Sequence, residues 1–193
     1  MPCGGFFLGG DGTVLYNIFS LILDTVATVL AAILLLRFWM QTVRVRPPSS
    51  IAQFMFQLTD WMVKPLRRVV PGVGGYDWAS LLGAFLIALL LVVVHLWIVS
   101  ALSIQTVMVL SVLRLLQWVL YGFMGLIIIE VIFSWVNPHA PLAPLVRALT
   151  DPLMRPLRRV IPLIGGIDLS PLVAFILLRI ALYLVDALIL PLA

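Results

Sequence analysis

The chain has 193 residues, of which 63% are hydrophobic and only 10% are charged. Soluble globular proteins contain roughly 45–50% apolar and about 25% charged residues, so this chain has too few charges to cover its surface in water. Residues 81–99 contain a single polar side chain, that of His95, and a run of about 20 apolar residues is long enough to cross a bilayer. The composition excludes a soluble enzyme, a disordered chain and a nucleic-acid-binding domain that works in water.

The net charge of +4 arises from twelve basic and eight acidic residues, and the positions of the basic residues are more informative than their number. Nine of them lie in two polar segments between apolar runs: Arg44, Arg46, Lys64, Arg67, Arg68, Arg147, Arg155, Arg158 and Arg159. Basic clusters beside a membrane span favour contact with anionic lipid headgroups over contact with nucleic acid. Cys3 is the only cysteine, so it gives no information about the redox compartment.

Four apolar runs are predicted to be membrane-spanning helices, at residues 14–40, 79–99, 107–136 and 171–190. They lack the alternation of strands, they exceed the roughly 10 residues of a barrel strand, and backbone groups inside a bilayer must be paired within their own segment. The first run lacks the basic start of a cleaved signal peptide, so we expect it to be retained. A polar bend at residues 100–105 is predicted to separate the second and third helices. The fold class is therefore an all-α integral membrane protein.

The distribution of the basic residues predicts the orientation of the chain. With four spans, the segments after the first and third helices lie on the same side of the membrane, and these segments hold the nine cations. Because loops rich in Lys and Arg stay in the cytoplasm, both basic loops are predicted to be cytoplasmic and both termini are predicted to lie outside.

An 18-residue segment occurs twice. Residues 60–77 read DWMVKPLRRVVPGVGGYD, and residues 151–168 read DPLMRPLRRVIPLIGGID. The second copy follows the first by 91 positions without a gap, and ten of the eighteen positions are identical. Each copy lies between two predicted spans, so we predict two parallel helix–basic linker–helix repeats. The first repeat covers residues 1–100 with its linker at 41–77, and the second covers residues 101–193 with its linker at 137–170.

The doubled pattern D-x-x-x-[K/R]-P-L-R-R-V-[V/I]-P-x-x-G-G-x-D, with an apolar span after each copy, resembles the YggT family of small bacterial and plastid membrane proteins. The stretches LLLRFWMQ at residues 34–41 and SWV at residues 134–136 are also similar to that family. For bacterial members the resemblance implies links to osmotic tolerance and to the neighbourhood of cell-division genes. For plastid relatives it implies haem attachment to a cytochrome b-type protein and nucleoid distribution. It carries over no catalytic residue.

The two linkers contain the same set of candidate turn and cap residues: Asp60, Pro65, Pro71, Gly74, Gly75 and Asp77 in the first, and Asp151, Pro156, Pro162, Gly165, Gly166 and Asp168 in the second. Asp60 and Asp151 fit helix N-caps, and Pro65 and Pro156 are expected to stop the helices that begin there. The glycine pairs are expected to form turns with positive φ. The last aspartate is expected to cap the returning helix.

The basic residues of the linker motif are the candidate lipid- or partner-contacting residues: Lys64, Arg67, Arg68, Arg155, Arg158 and Arg159. In each copy two arginines stand beside three aliphatic residues, a composition suited to the membrane interface, where an arginine near an anionic leaflet contributes about 1 kcal/mol. An anchor that fixes the helices and a docking surface for a cytoplasmic partner are both compatible with this pattern. A phosphate site is indicated only weakly, since GVGG and LIGG lack the Walker and GxGxxG spacing.

Polar residues inside the predicted spans form a second candidate set: Asp24, His95, Arg114, Glu130, Arg179 and Asp186. Their depths predict two groups, an outer cluster of Asp24, Arg114, Arg179 and Asp186, and an inner pair of Arg37 and Glu130. Charges within the hydrocarbon are costly, so we expect ion pairs between helices, with an ion or proton pathway as the alternative. His95 is expected to be hydrogen-bonded rather than a haem or metal ligand, because no second histidine lies in a span.

The sequence contains no catalytic triad, metal-ligand spacing or catalytic carboxylate pair. We therefore predict a non-enzymatic protein of the bacterial inner membrane, without metal or cofactor. The predicted role is a scaffold or assembly partner of an envelope, division or membrane-protein biogenesis complex. The alternative is a small channel or transport modulator linked to osmotic or ion homeostasis. Expected partners are anionic membrane lipids, a further protein and other copies of the chain, but not nucleic acid.

Overall fold

The structure is a computed structural model that describes residues 10–70, 72, 74–98, 103–161 and 168–189. These residues form six α-helices and no strand: α1 (Gly10–Val43), α2 (Ser49–Val69), α3 (Trp78–Ile98), α4 (Ile104–Val136), α5 (Ala143–Val160) and α6 (Ser170–Ile189). Helices α1, α3, α4 and α6 are long and apolar enough to cross a membrane. The predicted all-α class with four spans is confirmed.

The four long helices pack as a bundle in which α3 lies between α1 and α4, and α6 packs on α4. The contact between α1 and α3 is close because small side chains meet there. Ala31 of α1 and Ala84 and Ala88 of α3 are fully buried. In a bilayer, small residues at a helix interface allow the two backbones to approach closely.

Each linker contains a helix that the sequence analysis did not predict, and the expectation that the linker prolines stop a helix is wrong. Pro65 lies inside α2, and Pro156 lies inside α5. A proline removes one backbone donor from a helix. Both proline side chains are exposed, so the lost hydrogen bond falls on the outward face, where solvent can reach the carbonyl left without a partner. The helix therefore tolerates the proline and continues for another turn.

The expected N-cap roles of Asp60 and Asp151 are also wrong. Because α2 begins at Ser49 and α5 begins at Ala143, both aspartates lie in helix interiors. Each carboxylate instead pairs with the basic residue one turn later. Asp60 Oδ2 lies 3.1 Å from Lys64 Nζ, and Asp151 Oδ2 lies 2.6 Å from Arg155 Nη2.

The two linker helices lie at the same end of the bundle, which we call the linker side. Met40, Met55 and Leu149, from α1, α2 and α5, form one buried cluster. The indole Nε1 of Trp39 on α1 donates a hydrogen bond of 2.9 Å to the carbonyl of Leu149 on α5. The first repeat is therefore joined directly to the linker of the second.

The turns that lead into α3 and α6 place the last aspartate of each motif. Gly74 and Gly75 have φ of 70° and 82°, which confirms the positive φ expected for the first glycine pair. Asp77 directly precedes α3, and Asp168 Oδ1 accepts a hydrogen bond of 2.9 Å from the backbone N–H of Ser170, the first residue of α6. The remaining candidate turn residues lie outside the described residues: Pro71, Pro162, Gly165 and Gly166.

Candidate functional site

Four charged side chains meet on the linker side of the first repeat. Arg37 of α1 donates from Nη1 to Asp60 Oδ1 at 2.8 Å and from Nε to Asp77 Oδ2 at 3.1 Å. Arg67, near the end of α2, donates from Nη2 to the same oxygen of Asp77 at 2.8 Å. Since these residues come from α1, from α2 and from the residue before α3, the ion pairs hold three segments of the chain together.

The surroundings of Asp77 stabilise its ionised form. The residue is 2% exposed, and its Oδ2 also accepts a hydrogen bond of 2.7 Å from Ser80 Oγ. Burial raises the pKa of this carboxyl, but hydrogen bonds from Arg67 and Ser80 and the charges of Arg67 and Arg37 outweigh burial and hold the pKa below its ordinary value. The pKa of Asp60 is lowered mainly by the hydrogen bond from Arg37. Both carboxylates are charged at neutral pH and hold the arginines in place.

The second repeat has a related cluster centred on Arg158. This side chain donates from Nη2 to Glu130 Oε1 at 2.9 Å and from Nε to Asp168 Oδ2 at 2.9 Å. Burial lowers the pKa of Arg158, but the hydrogen bonds to both carboxylates outweigh burial and raise it. The pair of Arg158 and Asp168 occupies the repeat position of Arg67 and Asp77. The third member differs, because α4 contributes the carboxylate of Glu130 where α1 contributes the guanidinium of Arg37.

The predicted inner pair of Arg37 and Glu130 is therefore wrong. Each of these residues binds the linker of its own repeat. The depth of a residue along a helix does not fix the direction in which its side chain points, and the linkers fold back onto the helix ends and supply nearer partners. The repeat itself indicates the ion pairs within each linker, since Arg and Asp recur at the same spacing in both copies.

The two arginines of each motif have different surroundings. Arg67 and Arg158 are bound to aspartates, as described above. Arg68 and Arg159, the next residues, are exposed and form no ion pair with any residue that the structure describes. The outward-facing cations of the motif are thus the second arginine of each copy, together with Lys64 and Arg155, whose side chains are 75% and 72% exposed.

Each charged cluster borders an open cavity on the linker side. The first cavity, of about 450 Å³, is lined by basic residues that include Arg37, Arg44 and Arg67. The second, of about 910 Å³, is lined by Glu130, Arg147, Arg158 and Asp168 together with apolar residues of α4 and α6. Within the described part of the chain, no three His, Cys, Asp or Glu side chains are grouped so as to hold a metal ion.

A second polar cluster lies within the bundle, farther from the linkers. Arg114 Nη2 donates to Asp24 Oδ1 at 2.9 Å, and His95 Nε2 lies 3.6 Å from the other carboxylate oxygen. Arg114 also donates to Gln117 Oε1 at 3.2 Å, and Gln117 donates to Asp186. The structure thus brings together three of the four residues of the predicted outer cluster. Gln117 is not among the residues predicted from the sequence, although it lies one helical turn after Arg114 on the same face.

Arg179 does not belong to this cluster, and its predicted place there is wrong. It is exposed on α6 and forms no hydrogen bond or ion pair with any described residue. Its spacing of seven residues from Asp186 corresponds to about 10 Å along the helix axis, which is too far for a direct contact. The expected hydrogen bond of His95 is present, since its Nδ1 lies 2.8 Å from the carbonyl oxygen of Leu91.

Two helix–linker–helix units, each with an arginine–aspartate ion pair at the same position of the linker, define a multi-pass α-helical membrane protein with a duplicated architecture. The chain belongs to the CCB3/YggT family, whose sequence model matches residues 16–98 and again residues 109–189. Each match contains two apolar helices and the linker between them.

The relatives come from several bacteria. The chain is 34% identical over 165 residues to a protein of Escherichia coli (strain K12) named "Uncharacterized protein YggT", covering 85% of this chain and 87% of that one. It is 34% identical over 179 residues to the "Uncharacterized protein in proC 3'region" of Vibrio alginolyticus, covering 91% and 97%. It is 38% identical over 164 residues to a protein of Pseudomonas aeruginosa, covering 82% and 83%. No solved structure matches the chain.

Proposed function

We propose that the protein is a non-enzymatic scaffold of the bacterial inner membrane. It holds partner proteins of an envelope, division or membrane-protein biogenesis complex against the cytoplasmic surface, and its linkers contact anionic lipid. The observation that carries this proposal is the pair of equivalent ion pairs, Arg67 with Asp77 and Arg158 with Asp168. They fix two amphipathic helices at one end of the bundle, and such rigid, repeated surfaces suit a binding role.

The outward faces of the linker helices have the composition of an interfacial binding surface. Phe54 and Trp61 of α2 are 59% and 67% exposed, and their spacing of seven residues places them on one side of the helix. Arg68 lies on that side, two turns further on. Aromatic and basic side chains on one helix face favour residence at the membrane surface, where the rings enter the headgroup layer and the cations contact phosphates.

We propose that the linker side faces the cytoplasm and that both termini lie outside. The hydrogen bond between Trp39 and Leu149 supports a common side for both linkers. Nine of the twelve basic residues of the chain belong to these segments, and the positive-inside rule relates such an excess to the cytoplasmic side.

A channel or transport modulator linked to osmotic homeostasis is the weaker alternative. The cluster around Arg37 and the cluster around Arg114 are separated by a buried apolar layer formed by Ala27, Ala31, Ala88, Leu91 and Trp118. A conduit through one chain would have to cross this layer. Within each of the two clusters the charged side chains form ion pairs, and this favours a structural role for them.

Site-specific photo-crosslinking in intact membranes tests the proposal. A photoreactive residue in place of Trp61 on the linker side is expected to give discrete protein adducts in addition to lipid adducts, because the scaffold holds its partner against the same surface that contacts lipid. The same residue in place of Val29, which is 51% exposed on the membrane-spanning α1, serves as the control and is expected to give lipid adducts only. Lipid adducts alone at both positions would contradict a scaffold, and ion flux through purified protein in liposomes would favour the channel.

A further inference from the structure

Arg179 is the tenth of the 20 residues of α6, the last membrane-spanning helix. It is exposed and has no side-chain partner among the described residues. The residues around it on the same face, Ile176, Ile180 and Tyr183, are 49%, 53% and 73% exposed. A charged side chain therefore lies midway along α6 at the edge of its exposed face, beside exposed apolar side chains.

Arg179 lies too far along α6 for its side chain to reach the linker-side end of that helix. At a rise of about 1.5 Å per residue, its Cα lies about 13.5 Å from Ser170 at the linker side of α6. A helical side chain leans towards the N-terminal end of its helix, but an extended arginine reaches only roughly 7 Å. When α6 spans the bilayer, this depth falls in the hydrocarbon region, where a charge without a partner is costly.

Among the residues whose side chains the structure describes, no carboxylate is available to this guanidinium. Asp186 lies about 10 Å farther from the linker side on the same helix and accepts a hydrogen bond from Gln117. Asp24 is paired with Arg114, and Glu130 is buried and paired with Arg158. Two copies that meet symmetrically through α6 would place one Arg179 against the other, because a two-fold interface joins identical patches.

We propose that Arg179 binds an Asp or Glu side chain on a transmembrane helix of a different protein. The inference rests on the scaffold function proposed above and names the chemistry by which that scaffold recognises a membrane-embedded partner. A guanidinium group offers two parallel donors to a carboxylate, and Ile176, Ile180 and Tyr183 surround the ion pair with side chains that pack against a helix and exclude lipid.

The test uses synthetic transmembrane peptides as probes. A polyleucine helix with one central Glu is compared with the same helix carrying Gln at that position and with one carrying Glu near its end. The full-length protein, labelled with a fluorophore, is reconstituted into phosphatidylcholine vesicles at pH 8, and binding is measured by energy transfer. The central-Glu peptide is expected to bind at least tenfold more tightly than the other two. R179L is expected to abolish the difference, R179K to keep part of it, and R46L, which removes an exposed cation on the linker side, to leave it unchanged.

Equal binding of the Glu and Gln peptides to the wild type would overturn the inference. Energy transfer between two labelled copies of the chain that depends on Arg179 would also overturn it, in favour of self-association. The unfolding temperature of R179L in detergent is expected to equal that of the wild type, whereas a large loss would assign Arg179 to the fold. If the central-Glu peptide shows no preferential binding but protein adducts still form at position 61, the scaffold function is retained and only the role of Arg179 is rejected.

Discussion

Arg67 and Asp77 form an ion pair of 2.8 Å across the turn that connects α2 to α3. The second repeat keeps this pair at 2.9 Å between Arg158 and Asp168. In both repeats the pair joins the end of the linker helix to the start of the next membrane-spanning helix. A linker held in this way keeps a fixed position on the bundle, and a fixed position allows its outer face to serve as a binding surface.

The D77N substitution is expected to destabilise the protein by about 3 kcal/mol. It leaves the buried guanidinium of Arg37, which is 8% exposed, without its full counter-charge, and removing one partner of a buried pair costs about 3–5 kcal/mol. The measurement is thermal or denaturant unfolding in detergent. D151N is the matched control, because the ion-pair partner of Asp151 among the described residues is the exposed Arg155 one turn away, and such pairs contribute about 0.3–0.5 kcal/mol. Equal losses in the two variants would contradict a structural role for the buried pair.

A second prediction separates the two arginines of each motif. Replacing both Arg68 and Arg159 by Gln is expected to weaken retention of phosphatidylglycerol about fivefold per residue, because each exposed arginine contributes about 1 kcal/mol at an anionic surface. Native mass spectrometry of the protein with bound lipid measures this loss. The same change at Arg67 and Arg158 is expected to lower stability and to affect lipid retention less. A larger loss of lipid retention in the Arg67 and Arg158 variant than in the Arg68 and Arg159 variant would show that the paired arginines are the lipid ligands.

The sequence was sufficient to locate the four membrane-spanning helices, because their length and apolar character are dictated by the bilayer itself. The predicted run at residues 79–99 agrees within about one residue with α3, Trp78–Ile98. The linker helices are harder to predict, because a proline taken by itself indicates the end of a helix. Pro65 and Pro156 lie on exposed helix faces, where a missing backbone hydrogen bond is tolerated, and only the packing of the opposite face shows this.

The ion-pair partners were predicted less well than the helices. The pair of Asp24 and Arg114 was found because both residues lie inside spans at similar depth. The partners of Arg37 come from the linker. The path of the linker depends on tertiary packing, which cannot be deduced from the depth of Arg37 in its membrane span. Arg179 was predicted to belong to the outer cluster on the assumption that each charge is paired within the chain. This prediction fails because the side chain lies on the exposed face of α6.

The stability of the protein is expected to fall in acid. The folded-state pKa of Asp60, Asp77 and Asp168 lies below the ordinary value of 3.8. Such groups stabilise the fold fully above pH 3.8, and this contribution is lost as the pH falls through the folded-state pKa. The unfolding temperature in detergent should stay level from pH 7 to about pH 5 and decline below about pH 4. In D77N this decline of the unfolding temperature should be smaller than in the wild type. Identical pH profiles for the wild type and D77N would show that Asp77 does not contribute to the loss of stability in acid.

Gly83 lies where α3 contacts α1 and α2. A Cβ atom built at this position would lie 2.9 Å from Met62 Cε and 3.4 Å from Leu34 Cδ1. G83A requires only a shift of the flexible end of Met62 and should be nearly neutral, whereas G83V is expected to cost about 1–3 kcal/mol through overpacking. G125A is the control, since nothing lies within 4 Å of its Cβ position. Equal unfolding temperatures for G83V and G125A would show that α2 does not pack at this point.

The pair of Asp24 and Arg114 distinguishes the scaffold from the channel. Because Arg114 Nη2 lies 2.9 Å from Asp24 Oδ1, D24N and R114Q should each lower stability. The double variant should lose less than the sum of the two, with a coupling energy of about 0.5–3 kcal/mol. A channel predicts a different result, because neutralising a charge in a conduit changes ion flux and leaves the fold nearly intact. Unfolding temperature and ion flux in liposomes are therefore measured on all four proteins. Single variants with normal stability and altered flux would reject the structural role of the pair, whereas positive coupling without flux would place it among the contacts that hold α1 against α4.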